Sequence, residues 1–270
     1  MLKKVAVVAG MVGALGIGTA QAGGAPCVAG PFADDGGSTT CNKAAEICEA
    51  KIGGLIAKAV GAVIKCHAKQ EAAAFSTANG KPKTFDEETC ESTAITAFTT
   101  AAQAAQTKAA GACSCVQVTT IAGLIGSVLD GSNSLAFCEG STAIDPSGDD
   151  TGTFDPTDAT GSKAMQKVGG CISKLVKGWE KCHATFAKGV LGGKLQTNDP
   201  GNTDEICEGD GDNSNPKGAI EQFNACLGKL TGVPACVTAN VPSILGLTKT
   251  QLDGANGLVY CASPSGAFVQ

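Results

Sequence analysis

The chain has 270 residues, of which 43% are hydrophobic but only 4% are aromatic. All 20 basic residues are lysines and they stand against 25 acidic residues, which excludes a strongly basic nucleic-acid-binding surface. One tryptophan and one tyrosine also exclude a core built mainly from large aromatic side chains. We therefore expect cross-links to supply part of the stability of the fold.

Residues 1–22 have the layout of a secretory signal peptide. Lys3 and Lys4 precede an apolar run, and a small-residue cleavage pattern ends at Ala22. Cleavage would remove two lysines and leave a formal charge of −7. The sequence predicts an exported protein, periplasmic or extracellular, with no nucleic-acid partner and no membrane span after cleavage. Its partner is expected to be a protein or a surface of unknown identity.

All 14 cysteines follow the predicted signal peptide. An even number of cysteines in a chain bound for an oxidising compartment favours complete pairing over free thiols or metal clusters. The sequence therefore predicts seven disulfides.

Three short segments recur in the same order at offsets of 116, 117 and 123 residues, which predicts a tandem duplication. They are Lys65-Cys66-His67 with Lys181-Cys182-His183, the acid-flanked Cys90 with Cys207, and the Leu-Asp-Gly segments at Asp130 and Asp253. The predicted divisions are a signal peptide (1–22), an N-terminal arm (23–40), helical repeats (41–138 and 163–261), an acidic linker (139–162) and a C-terminal tail (262–270).

Each predicted repeat begins with an amphipathic helical pattern. Cysteines and apolar residues recur every three or four positions, from Cys171 to Phe186 in the second repeat and from Cys48 to Cys66 in the first. A polar turn and a second helical pattern follow, and a third short helix is expected before the Leu-Asp-Gly segment. The expected fold class is all-α, built from disulfide-rich helical hairpins in a duplicated unit of about 100 residues.

Helix phase and the symmetry of the repeats predict the disulfide pairing. Cysteines that share a helix face should pair in nested order across each hairpin, and the last two cysteines of each repeat should close their own loop. The predicted pairs are Cys27–Cys41, Cys48–Cys113, Cys66–Cys90, Cys115–Cys138, Cys171–Cys226, Cys182–Cys207 and Cys236–Cys261.

With these segments in place, the chain resembles cysteine-rich exported bacterial proteins built from duplicated helical repeats. The resemblance is carried by Lys65-Cys66-His67, Glu88-Thr89-Cys90-Glu91 and the Lys/Ala/Gly stretch that ends at Cys113. It covers both repeats. It implies no catalytic residues.

His67 and His183 each follow a cysteine at matched positions. The expected state is a partly exposed histidine beside a structural bridge; the alternative is a metal site shared by His67 and His183. Haem attachment is disfavoured, because the Cys-x-x-Cys-His pattern has Val63 or Trp179 in place of its first cysteine.

An acidic loop provides a second candidate metal site. Asp210, Asp212, Ser214 and Glu221 occupy positions 1, 3, 5 and 12 of a calcium loop. Position 6, normally glycine, is Asn215. Calcium is therefore an alternative to an ordinary solvated loop.

Catalytic motifs are not apparent, so no catalytic residue is assigned and the protein is not expected to be an enzyme. Cys113-Ser114-Cys115 lacks the spacing of a redox pair. The sequence favours an exported, non-catalytic, disulfide-stabilised structural or binding protein without a cofactor. The alternative is a metal- or cofactor-carrying exported protein.

Overall fold

The computed structural model describes residues 27–32, 35–146, 148–197, 203–210 and 215–261. Within these ranges the fold is helical with two short β-hairpins, and the expected all-α, disulfide-rich class is confirmed. The predicted signal peptide and the C-terminal tail lie outside the described residues. The tandem duplication stays a prediction.

The described elements divide between the first and second halves of the chain. The first comprises β1 (Gly30–Pro31), β2 (Ser38–Thr39), α1 (Lys43–Ala78), α2 (Glu87–Lys108), α3 (Val118–Ser132) and a 3₁₀ turn (Asn133–Leu135). The second comprises β3 (Thr142–Ala143), β4 (Thr153–Phe154), α4 (Ala159–Leu191), α5 (Thr203–Glu208), α6 (Ala219–Leu227), α7 (Ala235–Leu252) and a 3₁₀ turn (Asn256–Leu258).

The two longest helices, α1 and α4, pack against each other in opposite directions. Gly61 faces Ser173 and Gly169 faces Ile64, so small residues let the two backbones approach. Near the end of α1, the carboxylate of Glu71 accepts hydrogen bonds from Ser162 Oγ and Gln166 Nε2 of α4. This pair of helices is the centre on which the other elements pack.

Local signals explain where these helices begin. The side chain of Asn42 accepts hydrogen bonds from the first backbone N–H groups of α1, and Asp158 does the same for α4. Asp86 caps α2, which runs back along α1 after the polar loop that the sequence predicts. The buried core between α1 and α2 consists mainly of aliphatic side chains and Phe98.

Segment 139–162, expected to be a linker, contains the hairpin of β3 and β4, and α4 begins within it. Each hairpin lies against the end of a predicted repeat: Ser38 forms a bridge with Cys261, and Thr153 with Cys138. The N-terminal hairpin therefore contacts the second repeat, and the central hairpin contacts the first.

Seven disulfides join the described cysteines. Five have the pairing expected from helix phase: Cys27–Cys41, Cys48–Cys113, Cys66–Cys90, Cys171–Cys226 and Cys182–Cys207. The cysteines of Cys113-Ser114-Cys115 enter two separate bridges.

Two predicted pairs, Cys115–Cys138 and Cys236–Cys261, are wrong. The structure joins Cys115 to Cys261 and Cys138 to Cys236. The cause is an exchange of contacts between the two predicted repeats. Gln117 N at the start of α3 donates to Leu258 O, and Asn240 Nδ2 in α7 donates to Leu135 O. The start of α3 and the N-terminal half of α7 therefore each lie beside the end of the other predicted repeat.

In the part of the chain that the structure describes, no helix combines the length and apolar character needed to cross a membrane.

Candidate metal centres

The predicted bridges at His67 and His183 also bring acidic side chains to both histidines. Cys66–Cys90 joins α1 to the start of α2, where Glu87 and Glu91 lie one helical turn apart. Cys182–Cys207 joins α4 to α5 in the same way, beside Asp204 and Glu208. Each histidine therefore lies beside a helix that carries acidic side chains, Glu87 and Glu91 on α2 for His67 and Glu208 on α5 for His183.

The His67 cluster consists of His67, Glu87, Glu91, Asp130 and Asp150. The distances from His67 Nε2 to the nearest oxygens are 2.7 Å for Glu91, 3.1 Å for Asp150, 3.5 Å for Asp130 and 3.6 Å for Glu87. These five side chains come from α1, α2, α3 and the segment between β3 and β4.

The His183 cluster consists of His183, Asp35, Glu208 and Asp253. The distances from His183 Nε2 are 3.2 Å to Asp35 Oδ2, 3.2 Å to Glu208 Oε1 and 3.3 Å to Asp253 Oδ1. Trp179 Nε1 donates a hydrogen bond to the same Oδ1 of Asp253 and orients that carboxylate.

One carboxylate of each cluster comes from a β-hairpin. Asp150 lies just before β4, and Asp35 lies just before β2. In β2, Ser38 N donates a hydrogen bond to Tyr260 O at 2.6 Å. Neither residue is predicted from the sequence, because nothing local marks an acid in a polar turn as a ligand. Asp150 lies three residues before Thr153, and Asp35 lies three residues before Ser38. This shared spacing is the sequence signal that could have identified both residues.

Both histidines are buried, with 2% of the His67 surface and 1% of the His183 surface exposed. The expectation of partly exposed histidines was therefore wrong. The shared metal site was also wrong: in the described residues no group of neighbouring ligand atoms contains both histidines. Each histidine has its own set of carboxylates.

Hydrogen bonding does not satisfy these clusters. An imidazole Nε2 carries at most one hydrogen, yet three or four carboxylate oxygens surround it. Within the described structure, both oxygens of Asp150, both of Glu208 and both histidine Nε2 atoms are buried without a hydrogen-bond partner of good geometry. Burying several like charges around one donor is unfavourable, so each cluster is suited to a multivalent cation.

The pKa values show the same conflict of charges. Burial alone would lower the pKa of His67, but Asp130, Asp150 and Glu91 outweigh it and raise the pKa to about 11. Asp253, Asp35 and Glu208 likewise outweigh burial and raise the pKa of His183 well above its ordinary value. Burial is the main cause that raises the pKa of Glu87 and of Glu208 to about 9.

In the presence of a chelator, we expect the free energy of unfolding to decrease as the pH rises from 6.5 to about 9. Folded Glu87 and Glu208 hold a proton up to about pH 9, whereas the unfolded side chains release it near 4.5. Folded His67 also keeps its proton above the ordinary 6.5. The folded state then binds more protons, so a higher pH favours unfolding.

Urea unfolding at a series of pH values measures this effect. A divalent cation in excess is the control, because the ion replaces the protons and should remove the decrease. A metal-free stability that is constant or increases over this range would contradict the prediction.

Ligand spacing agrees with a metal ion of ordinary bond length. Four donors at the corners of a tetrahedron with bonds of about 2.0 Å lie about 3.3 Å apart. The three distances from His183 Nε2 lie between 3.2 and 3.3 Å. All four candidate ligand atoms of that cluster lie within 4.8 Å of one another. One imidazole and three carboxylates fit a first-row divalent cation such as Zn²⁺.

Replacing Gly37 by alanine should weaken the His183 cluster. Gly37 has φ +94°, and an added Cβ would overlap Tyr260 O, so the hairpin that carries Asp35 has to move. We expect a loss of about 1–3 kcal/mol in stability and weaker metal binding at this cluster alone. Calorimetric titration of the variant with metal measures binding at the His67 cluster and at the His183 cluster.

Gly54→Ala is the matched control, because Gly54 is exposed in α1 and its added Cβ has no atom within 4 Å. That change should stabilise the helix by about 0.5–1 kcal/mol. Unchanged binding at the His183 cluster in Gly37→Ala would show that the hairpin does not position Asp35.

The acidic loop predicted to bind calcium is only partly described, because Asp212 and Ser214 lie outside the described residues. Asp210 Oδ2 lies 2.5 Å from Lys249 Nζ, which also contacts Glu205 and Asp253 at 3.2 Å each. The Glu221 carboxylate lies beside Gly209 and Gly218. Calcium binding by this loop stays a prediction.

No protein-family model, curated protein or solved structure matches the chain significantly. The two clusters therefore have to be interpreted from their own geometry.

Proposed function

We propose that this is an exported, disulfide-stabilised protein that binds two divalent metal ions, one at the His67 cluster and one at the His183 cluster. The supporting observation is the ring of three carboxylate oxygens at 3.2–3.3 Å from the buried His183 Nε2. The His67 cluster also places carboxylate oxygens around a buried Nε2, four of them at 2.7–3.6 Å. This is the metal-carrying alternative of the two classes considered from the sequence.

The repeated positions support a tandem origin for the two sites. His67 and His183, Glu91 and Glu208, and Asp130 and Asp253 occupy matched places in the recurring segments. Asp35 and Asp150 add a hairpin carboxylate to each. We infer that duplication of one metal-binding unit produced both clusters.

Several protein ligands around one ion favour a non-catalytic role. A catalytic zinc site keeps a coordination position for water or substrate, whereas a structural site is filled by four protein groups. The His183 cluster supplies four, and between 1% and 7% of each of these side chains is exposed. The bound ions would link hairpins and helices that are distant in sequence, which agrees with a structural or binding protein.

Metal analysis of the exported protein tests this proposal. After exchange into Zn²⁺ or Mn²⁺ and removal of loosely bound ions, we expect one ion per cluster. His67→Gln and His183→Gln should each remove one ion. Glu71→Gln is the control, since Glu71 is equally buried but is held by Ser162 and Gln166. Binding that none of the histidine substitutions changes would reject the proposal.

A further inference from the structure

A cavity of about 140 Å³ lies where the helix pair α1 and α4 meets the helices α3 and α7. Its walls are mainly aliphatic, and all four helices contribute to them, through side chains such as Ile64, Leu124, Val176 and Leu247. Protein interiors contain few voids larger than a water molecule. An apolar cavity of this size can hold a small ring such as benzene, and ligand sites in helical proteins often lie between helices.

The two halves of the chain contribute matched side chains to this cavity. Leu124 of α3 recurs as Leu247 of α7, 123 residues later, and both line the wall. The same offset relates Asn133 to Asn256, which lie in the two 3₁₀ turns and also line the wall. Each half therefore adds one amide group to a mainly apolar surface.

These two asparagines are the polar groups that a ligand would recognise. Asn133 is 5% exposed and Asn256 is 3% exposed. Within the described residues, neither Nδ2 atom has a hydrogen-bond partner. A buried donor without an acceptor is unfavourable, so an oxygen atom brought into the cavity would stabilise the bound state.

The charges around the cavity favour an uncharged ligand. Glu180 lines the wall, and Asp130 and Asp253 lie one helical turn before the two asparagines. An anionic head group would be repelled by these acids, and a cation would find donors instead of acceptors at the two amide nitrogens. Aliphatic walls also make the burial of any charge unfavourable.

We propose that this cavity binds a small, uncharged apolar molecule that carries a carbonyl oxygen. The aliphatic side chains of the four helices enclose the hydrocarbon part of the molecule. Asn133 Nδ2 or Asn256 Nδ2 donates a hydrogen bond to the carbonyl oxygen. This binding is additional to the proposed metal binding, and the argument for it uses other side chains.

Titration of the exported protein with cyclohexanone and with methylenecyclohexane tests the proposal. The two probes have nearly the same shape, but only the ketone has an acceptor oxygen. Excess Zn²⁺ keeps the metal clusters in one state, and NMR chemical shifts give the Kd of each probe. We expect saturable binding of both probes by the unchanged protein.

Replacing both asparagines tests the recognition of the oxygen. In the double variant Asn133→Leu, Asn256→Leu, the ratio Kd(ketone)/Kd(alkene) should rise at least about fivefold, the factor that one net hydrogen bond supplies. Asn224→Leu is the matched control, because Asn224 is exposed on α6, and it should leave the ratio unchanged. An unchanged ratio in the folded double variant would overturn the role of the asparagines.

Filling the cavity tests its position. Val128 of α3 is half-buried and lines the wall, so Val128→Phe should weaken binding of both probes at least about tenfold. Thr119→Phe places the same side chain at an exposed position of α3 and should leave both Kd values unchanged. Circular dichroism identifies variants that do not fold, and the other variant then decides.

Three further results would contradict the proposal. Lack of saturable binding by the unchanged protein would show that the cavity is not a ligand site. Binding that the folded Val128→Phe variant does not weaken would place the probes elsewhere. Binding of cyclohexanecarboxylate as tight as that of cyclohexanone would overturn the preference for an uncharged ligand.

Discussion

Removal of bound cations by a chelator near neutral pH is expected to lower the melting temperature by about 5–15 °C for each cluster. An ion at 100 to 1,000 times its Kd stabilises the folded state by about 2.7–4.1 kcal/mol, and each kcal/mol corresponds to about 2–4 °C in a chain of this size. The effect should be large because the ions neutralise carboxylates such as Asp150 and Glu208 that are buried without hydrogen-bond partners.

Thermal unfolding followed by circular dichroism, with excess Zn²⁺ or with chelator at matched ionic strength, measures this change. His67→Gln and His183→Gln should each lose about half of the chelator effect, and the double variant nearly all of it. Glu71→Gln should respond to the chelator like the unchanged protein. Equal melting temperatures with and without the cation would show that the clusters are not metal sites.

Replacing Cys115 and Cys261 together by serine is expected to cost about 4 kcal/mol of stability. The two residues are 146 positions apart, but the Cys138–Cys236 bridge remains in the variant, so the loop that the lost bridge closes has about 50 residues. Cys261 also follows Tyr260, which binds the hairpin that carries Asp35. The same variant should therefore bind metal more weakly at the His183 cluster.

Denaturant unfolding and metal titration measure the two effects. The double serine variant of Cys27 and Cys41 is the control, since its bridge spans only 14 positions and should contribute about 3 kcal/mol. Peptide mapping of the unreduced protein should recover Cys115 linked to Cys261. A Cys115–Cys138 peptide, or equal losses in the two double variants, would contradict the exchanged pairing.

The sequence alone determined the helical class, because apolar residues and cysteines recur at helical spacing on α1 and α4. Helix phase also predicted the nested bridges within each hairpin, such as Cys66–Cys90. These features depend on residues that are near one another in sequence or share one helix face. On a helix, the period of about 3.6 residues determines which way each side chain points. The segments recognised as repeats contain His67, Glu91 and Asp130, although they were interpreted only as markers of duplication.

Part of the candidate sites could also have been found from the sequence. The predicted Cys66–Cys90 bridge places His67 beside an acid-flanked cysteine, and Cys182–Cys207 does the same for His183. The spacing of the histidines alone suggests one ligand per repeat, whereas the carboxylates beside each bridged cysteine supply the others. A recurring acid beside each bridged cysteine was the signal.

Only the tertiary structure decided how the ends of the predicted repeats are exchanged and which hairpin completes each cluster. Symmetry is equally compatible with Cys115 pairing within its own repeat or with Cys261 of the other, because both choices preserve the pattern. The packing of α3 and α7 against the opposite 3₁₀ turns selects the second. The same packing places Asp35 beside His183, about 150 residues away in the chain. Side chains that are distant in sequence meet in one cluster only through long-range contacts. The local periodicity of the sequence does not report such contacts.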